Sequence, residues 1–333
     1  MDYKLVKNYL DEKAIKWSPM REGAGLGMAE LGEEKKDMVM LGADTIESCR
    51  AHYFAEKFPE RTIEVGVAEQ NMIGVAAGLA YSGKVPYAVT YAPFLIGRAW
   101  EPIRTTIAYP NNHVILVSSH AGIATGSDGP THQMTEDIAL TRCLPNFTVI
   151  CPCDYEQAKK AVKAAYDLKG PIYIRNAREA TPVFTTPETP FEVGKAQVLR
   201  EGKDLTAIGH GYMVYWLLQI AEELSAKGGS ASGGKDSIDI EVINMHTVKP
   251  LDGETLLASV KKTGRVFTAE DHNIIGGLGS AVAEFLGENH PVPMKMHEVM
   301  DTFAESGSVK DLWMKYKLDK EGTKQKLLEF LNV

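Results

Sequence analysis

Short runs of β-branched and apolar residues recur along the chain, each separated from the next by a stretch long enough for one helix. No other feature constrains the fold as strongly, because this alternation is the mark of βαβ units around a parallel sheet. In the first half the runs are MVMLGAD (38–44), TIEVGVA (62–68), VPYAVTY (85–91), HVILVSS (113–119), FTVICP (147–152) and PIYIRN (171–176). Helices are expected near 69–82, 98–109, 134–143 and 155–168, the last opened by Asp154 as a side-chain cap and stopped at Gly170.

The pattern breaks at TPVFTTPETP (181–190), which is rich in proline and threonine and lacks apolar periodicity, so it reads as a linker. It then restarts, with strands at 205–211, 238–245, 265–271 and 292–299 and helices near 212–227, 254–263, 278–288, 307–317 and 321–332. GGSASGGK (228–235) reads as a flexible surface loop without chemistry. The fold expected is α/β in two domains, 1–180 and 192–333, joined by a linker at 181–191, each a mostly parallel sheet flanked by helices. The two halves differ in detail and do not constitute an internal repeat.

The 333 residues suffice for two cores, and 44% apolar with 24% charged residues is the balance of a soluble globular protein. A net charge of −8 argues against a nucleic-acid surface. No apolar run approaches the roughly 18 residues of a membrane helix, and the charged N-terminus is not a signal peptide. Cys49, Cys143, Cys151 and Cys153 do not make a disulfide framework, and Cys151-Pro152-Cys153 is too tight for a usual zinc knuckle. A reduced, cytoplasmic protein with buried structural thiols is expected.

Several residues stand out chemically. Glu69 sits where the run 62–68 gives way to a Gly/Ala-rich helix, with apolar residues on both sides. An acidic residue in a first helical turn is ordinary, since the unpaired N–H groups and the dipole favour it. Its flanks, however, look destined for a core, and small residues behind it permit close approach of another element or subunit. SSHAGIATGSDGPTHQ (118–133) leaves a strand at the end where α/β sheets place ligands, and carries His120, Asp128 and His132 among three glycines. The spacing fits neither a helical HxxxH pair nor a closed four-ligand zinc site, so no metal ligands are assigned. TYAPFLIGRAW (90–100) combines Tyr91, Phe94 and Trp100 with Arg98 at an expected helix start, where a cation is disfavoured unless it serves an anion. Arg175 ends a buried strand and is either an anion hook or half of an ion pair. IIGGLGSAV (274–282) lacks the third glycine of a dinucleotide fingerprint, and no phosphate-binding G-x-x-x-x-G-K-[ST] loop occurs.

FPERTIEVGVAEQNMIGVAAGLA, GSDGPTHQ, IEVINMHTVKPLD and TAEDHNIIGGLGSAVAE together resemble the C-terminal half of transketolase, over nearly the whole chain. Features are shared with deoxyxylulose-phosphate synthase and with the beta subunits of 2-oxo-acid dehydrogenases, which remain alternatives. A non-catalytic scaffold paralogue is another, opposed by the joint presence of Glu69, Asp128 and His132. The DGPTHQ form, with His120 ahead of Asp128, leans toward transketolase. The G-D-G…N motif that binds the diphosphate through Mg²⁺ in that family does not occur here. The resemblance therefore implies the C-terminal subunit of a split transketolase, active only with a separate N-terminal subunit in an α2β2 heterotetramer.

The resemblance also implies roles. Glu69 matches the glutamate that bonds N1′ of the thiamine-diphosphate aminopyrimidine, and Tyr91 and Phe94 match aromatics on that ring. The stretch after Phe94 is a residue longer than in some relatives, which leaves Arg98 and Trp100 less defined. Asp44 matches an acidic residue near the thiazolium. Arg21, Ser48 and Arg175 match phosphate contacts. His120, Asp128 and His132 match residues on the sugar's hydroxyls and carbonyl, with His120 and His132 moving protons. A Glu whose pKa is raised by burial could hold the proton that drives the pyrimidine to its imino form. The implied reaction moves a two-carbon ketol unit from a ketose phosphate to an aldose phosphate.

Overall fold

A computed structural model describes residues 3–226 and 237–332; the 228–235 loop lies outside them. The larger sheet has seven strands in the order Thr247–Lys249, Thr148–Ile150, Ile172–Arg175, Ile115–Ser119, Val85–Tyr91, Met38–Gly42 and Thr62–Glu64. All neighbours run parallel except Thr247–Lys249, which pairs antiparallel with Thr148–Ile150. Alternate side chains of each apolar run go to opposite faces. Met38 and Met40 join one core while Val39 and Leu41 join another, so the sheet is covered on both sides.

The second sheet orders Met294–Val299, Val266–Asn273, Leu205–Gly209, Ile240–Asn244 and Gln197–Arg200. Gln197–Arg200 is an antiparallel edge that the strand–helix pattern leaves unassigned. Thr247–Lys249 follows a strand of this second sheet yet completes the edge of the first, so the two units are stitched through the backbone. The stretch 181–191 is also packed rather than loose. Ala180–Pro182 pairs antiparallel with Trp17–Pro19, and the Asp154 carboxylate accepts the N–H groups of Phe184 and Thr185 at 3.0 and 2.7 Å.

The helix Met20–Glu34 is a second departure from the periodicity. Its four glycines weaken helix propensity by about 1 kcal/mol each relative to alanine, which hides it from a sequence reading. They are needed for packing. A Cβ on Gly23 would lie 2.1 Å from the Tyr155 carbonyl oxygen, and one on Gly27 2.6 Å from Val162. Cys49, Cys151 and Cys153 are buried, whereas Cys143 is exposed, contrary to the expectation for all four. Among the described residues no helix is long and apolar enough to cross a membrane.

Candidate active site

Parallel strands send all their C-terminal ends to one side, and the loops leaving them converge there. Glu69 opens the helix Glu69–Tyr81 after the edge strand, Asp44 follows Met38–Gly42, and Tyr91 ends Val85–Tyr91. His120 follows Ile115–Ser119. The Glu64 carboxylate ties two of these exits together, accepting the N–H groups of Asp44 at 2.7 Å and Gly66 at 2.9 Å. Asp44 takes a left-handed φ of 59° and its side chain faces solvent.

Glu69 is 2% exposed, but its surroundings are not purely apolar. Arg98 Nη1 lies 2.8 Å from both carboxylate oxygens. Arg98 does not start a helix as expected; it ends a π-helical turn, Pro93–Arg98, that begins five residues earlier. A π turn accommodates one extra residue, which suits a stretch one residue longer than in some relatives. The displaced register lays the guanidinium 4.6 Å over the Phe94 ring while it grips Glu69.

The rings continue from there. Phe94 stacks on Tyr91 at 5.6 Å, and Tyr91 stacks on His120 at 3.5 Å. His132 presents its edge to Phe94 at 5.3 Å and to Tyr91 at 6.2 Å. Glu69, Arg98, Phe94, Tyr91, His120 and His132 thus form one contiguous group. His120 has φ 61° and is buried; its Nδ1 faces the Ser119 hydroxyl. Burial, then the nearby charges of Arg21 and Arg178 and the neighbouring His132, push its pKa down to about 2. It is a neutral imidazole at working pH. Asp128 ends the 3₁₀ segment Ile123–Asp128 and is exposed.

Arg21 Nη1 donates to the Ser48 carbonyl oxygen at 2.5 Å, so these two residues meet across 27 positions of sequence. Burial, with Arg50 and Arg178 nearby, lowers the Arg21 pKa. Carboxylates of this chain balance part of that charge: Arg50 pairs with Glu22 at 3.0 Å and Arg178 with Glu179 at 2.7 Å. Among the described residues no cluster of three or more His, Cys, Asp or Glu side chains is placed to hold a metal ion.

Residues 18–183 match the model of the transketolase pyrimidine-binding domain and residues 194–322 that of the transketolase C-terminal domain. A protein of Methanocaldococcus jannaschii described as a transketolase C-terminal section is 42% identical over 313 residues, 93% of this chain and 95% of that protein. The chain belongs to the transketolase family. A Clostridium 6-deoxy-6-sulfo-D-fructose transketolase subunit is 41% identical over 280 residues, 84% of each chain. A solved split-gene transketolase, described as an inactive beta4 tetramer, superposes with a TM-score of 0.85 at 42% identity. The match covers 94% of this chain and 98% of that one.

Within this transketolase-family chain Arg175 is not free to serve as a phosphate hook. It is 7% exposed, its Nε donates to Asp137 at 2.8 Å and its Nη2 to the Asp271 carbonyl oxygen at 2.7 Å. The last residue of a central strand is enclosed once a second domain covers that end. Arg178, three positions on and past the strand, is near enough to Arg21 and His120 to lower the pKa of each; its Nη1 donates to the Thr125 carbonyl oxygen at 3.1 Å and to Glu179 Oε1 at 2.7 Å. The sequence reading missed Arg178 and Arg50. Both arginines of IRNAR leave the same strand, and only tertiary packing separates them. IIGGLGSAV carries no nucleotide loop: the Glu270 carboxylate accepts the Gly279 N–H at 2.8 Å, filling the place an anion would take.

Proposed function

We propose that the chain is the pyrimidine-binding and C-terminal subunit of a two-subunit transketolase, transferring a two-carbon ketol unit between sugar phosphates. The observation that carries this reading is the continuous contact of Glu69, Arg98, Phe94, Tyr91 and His120 beside the Arg21–Arg50–Arg178 cluster. The residues fit thiamine diphosphate. A flat guanidinium already lies on Phe94 with N–H groups on Glu69, which is the geometry of a flat heterocycle with a hydrogen-bonding edge. When bound, the cofactor supplies the carbon nucleophile, with its own amino group as the base for the C2 proton.

In this reading Glu69 holds or donates a proton at N1′, and Phe94 and Tyr91 fix the ring plane. Neutral His120 offers a lone pair or an N–H to a sugar hydroxyl and takes no charge of its own. His132 and Asp128 orient the remaining hydroxyls and the carbonyl. Arg21, Arg178 and Ser48 bind the distant phosphate, so that binding energy positions the reacting carbonyl. Diphosphate and Mg²⁺ ligands come from the N-terminal subunit, in an α2β2 assembly in the cytoplasm. The Gly/Ala-rich helix Glu69–Tyr81, which exposes Gly74 and Gly78, forms part of a subunit interface. Calorimetry tests the division of labour. Thiamine diphosphate with Mg²⁺ should bind the assembled pair at least 100-fold tighter than this chain alone, and equal affinity would overturn it.

A further inference from the structure

Asp271 lies at the end of the second-sheet strand Val266–Asn273, yet its side chain works in the first unit. Its Oδ1 accepts the N–H of Ile123 at 2.9 Å and its Oδ2 faces the N–H of Ala124 at 3.3 Å. These are the first two donors of the 3₁₀ segment Ile123–Asp128, which has no side-chain cap of its own. The fit is close: a Cβ on Gly122 would come within 2.3 Å of Asp271 Oδ2.

From this segment contacts run directly into the site. The Thr125 hydroxyl donates to the His120 carbonyl oxygen at 2.8 Å, and the Thr125 carbonyl oxygen accepts from Arg178. His120 sits in a left-handed conformation that an L-residue keeps only when its neighbours impose it. The main chain that carries this carboxylate is itself held. Arg175 donates to the Asp271 carbonyl oxygen and pairs with Asp137, whose other contact is the Tyr173 hydroxyl. Burial raises the Asp271 pKa while Arg175 opposes the rise.

We propose that Asp271 is a positioning residue for the substrate loop: acting from the C-terminal domain through the Ile123–Asp128 turn and Thr125, it sets where His120 and Arg178 stand. The proposal rests on the reading that His120 and Arg178 handle the sugar phosphate. It gives the C-terminal domain a part in the reaction without any contact to substrate.

The test is a double-mutant cycle in the assembled enzyme, with Asp271→Asn and Thr125→Val, xylulose 5-phosphate as donor and ribose 5-phosphate as acceptor. Asparagine keeps one acceptor and turns an amide donor toward the second N–H. Asp271→Asn should lower kcat/KM for the donor by 10- to 100-fold, with thiamine-diphosphate affinity within twofold of wild type. Because both changes act on one path, the double variant should lose little more than the worse single one. Effects that multiply, or a donor kcat/KM within twofold of wild type, would overturn the proposal. Amide exchange on the isolated chain gives a second readout that needs no activity. Exchange at Ile123 and Ala124 should quicken at least 10-fold in Asp271→Asn while Ile115–Ser119 stays protected. Unchanged exchange there refutes the brace, whereas an inactive wild-type pair with altered exchange refutes only the functional reading.

Discussion

Two arginine–carboxylate pairs beside the same seven-stranded sheet have the same chemistry and opposite surroundings. Arg175 and Asp137 are 7% and 0% exposed, and the C-terminal domain closes over them. Arg98 and Glu69 pair at the same 2.8 Å, but the arginine is 47% exposed. The enclosed pair has further partners in the Tyr173 hydroxyl and the Asp271 backbone, although all of the Asp137 side-chain bonds fall on Oδ2 and its buried Oδ1 has none. The open pair can exchange its guanidinium for another group. Burial on both sides makes an ion pair a piece of scaffold; burial on the carboxylate side alone leaves a site.

That contrast can be broken by removing one partner from each pair. Asp137→Ala strands the Arg175 charge in the interior and should cost about 3–5 kcal/mol in urea unfolding of the chain. A loss near 1 kcal/mol would make the enclosed pair dispensable. Glu69→Gln should lower ketol transfer by the assembled enzyme at least ~100-fold, about 2.7 kcal/mol of barrier. The unfolding midpoint should barely move; retained transfer would remove the N1′ role.

His120, stacked on Tyr91, titrates in a known direction. Its folded pKa of about 2 is far below an unfolded value near 6.5, so the unfolded chain takes up the proton first. The stability it contributes is complete above pH 6.5 and drains as pH falls toward 2, by about 1 kcal/mol per pH unit below 6. His246 and His297, each pushed down to about 4 by burial, act in the same sense. The His120 share is therefore the slope lost in His120→Asn, read from urea midpoints between pH 7 and 5; an unchanged slope would mean that His120 charges in the folded state. Arg98→Ala should have the smallest effect, about 1 kcal/mol or less in the same unfolding assay, because the arginine side chain is 47% exposed. A loss matching Asp137→Ala would erase the contrast.

Much of this was legible in the sequence because strand and helix periods are local signals. The runs at 38–44, 85–91 and 113–119 put Asp44, Tyr91 and His120 at or just past the ends of expected strands; that the three strands are neighbours is a property of the fold. What sequence could not show depends on distant neighbours. The helix Met20–Glu34 is written in glycines that make sense only against Tyr155 and Val162. The choice between Arg175 and Arg178 depends on which one the second domain covers. Arg98 reads as a helix start because the π turn before it follows neither the 3.6-residue period nor the usual caps. Asp271 is invisible as a loop brace until 148 residues of sequence separation are folded away.

The most direct test of the whole account is ketol transfer itself. Xylulose 5-phosphate and ribose 5-phosphate, with thiamine diphosphate and Mg²⁺, would be given to this chain alone and to the chain co-expressed with the product of its neighbouring gene. The account predicts transfer by the pair and none by the single chain. Transfer by this chain alone would contradict the split-subunit reading, and no transfer by the assembled pair would contradict the sugar-phosphate assignment.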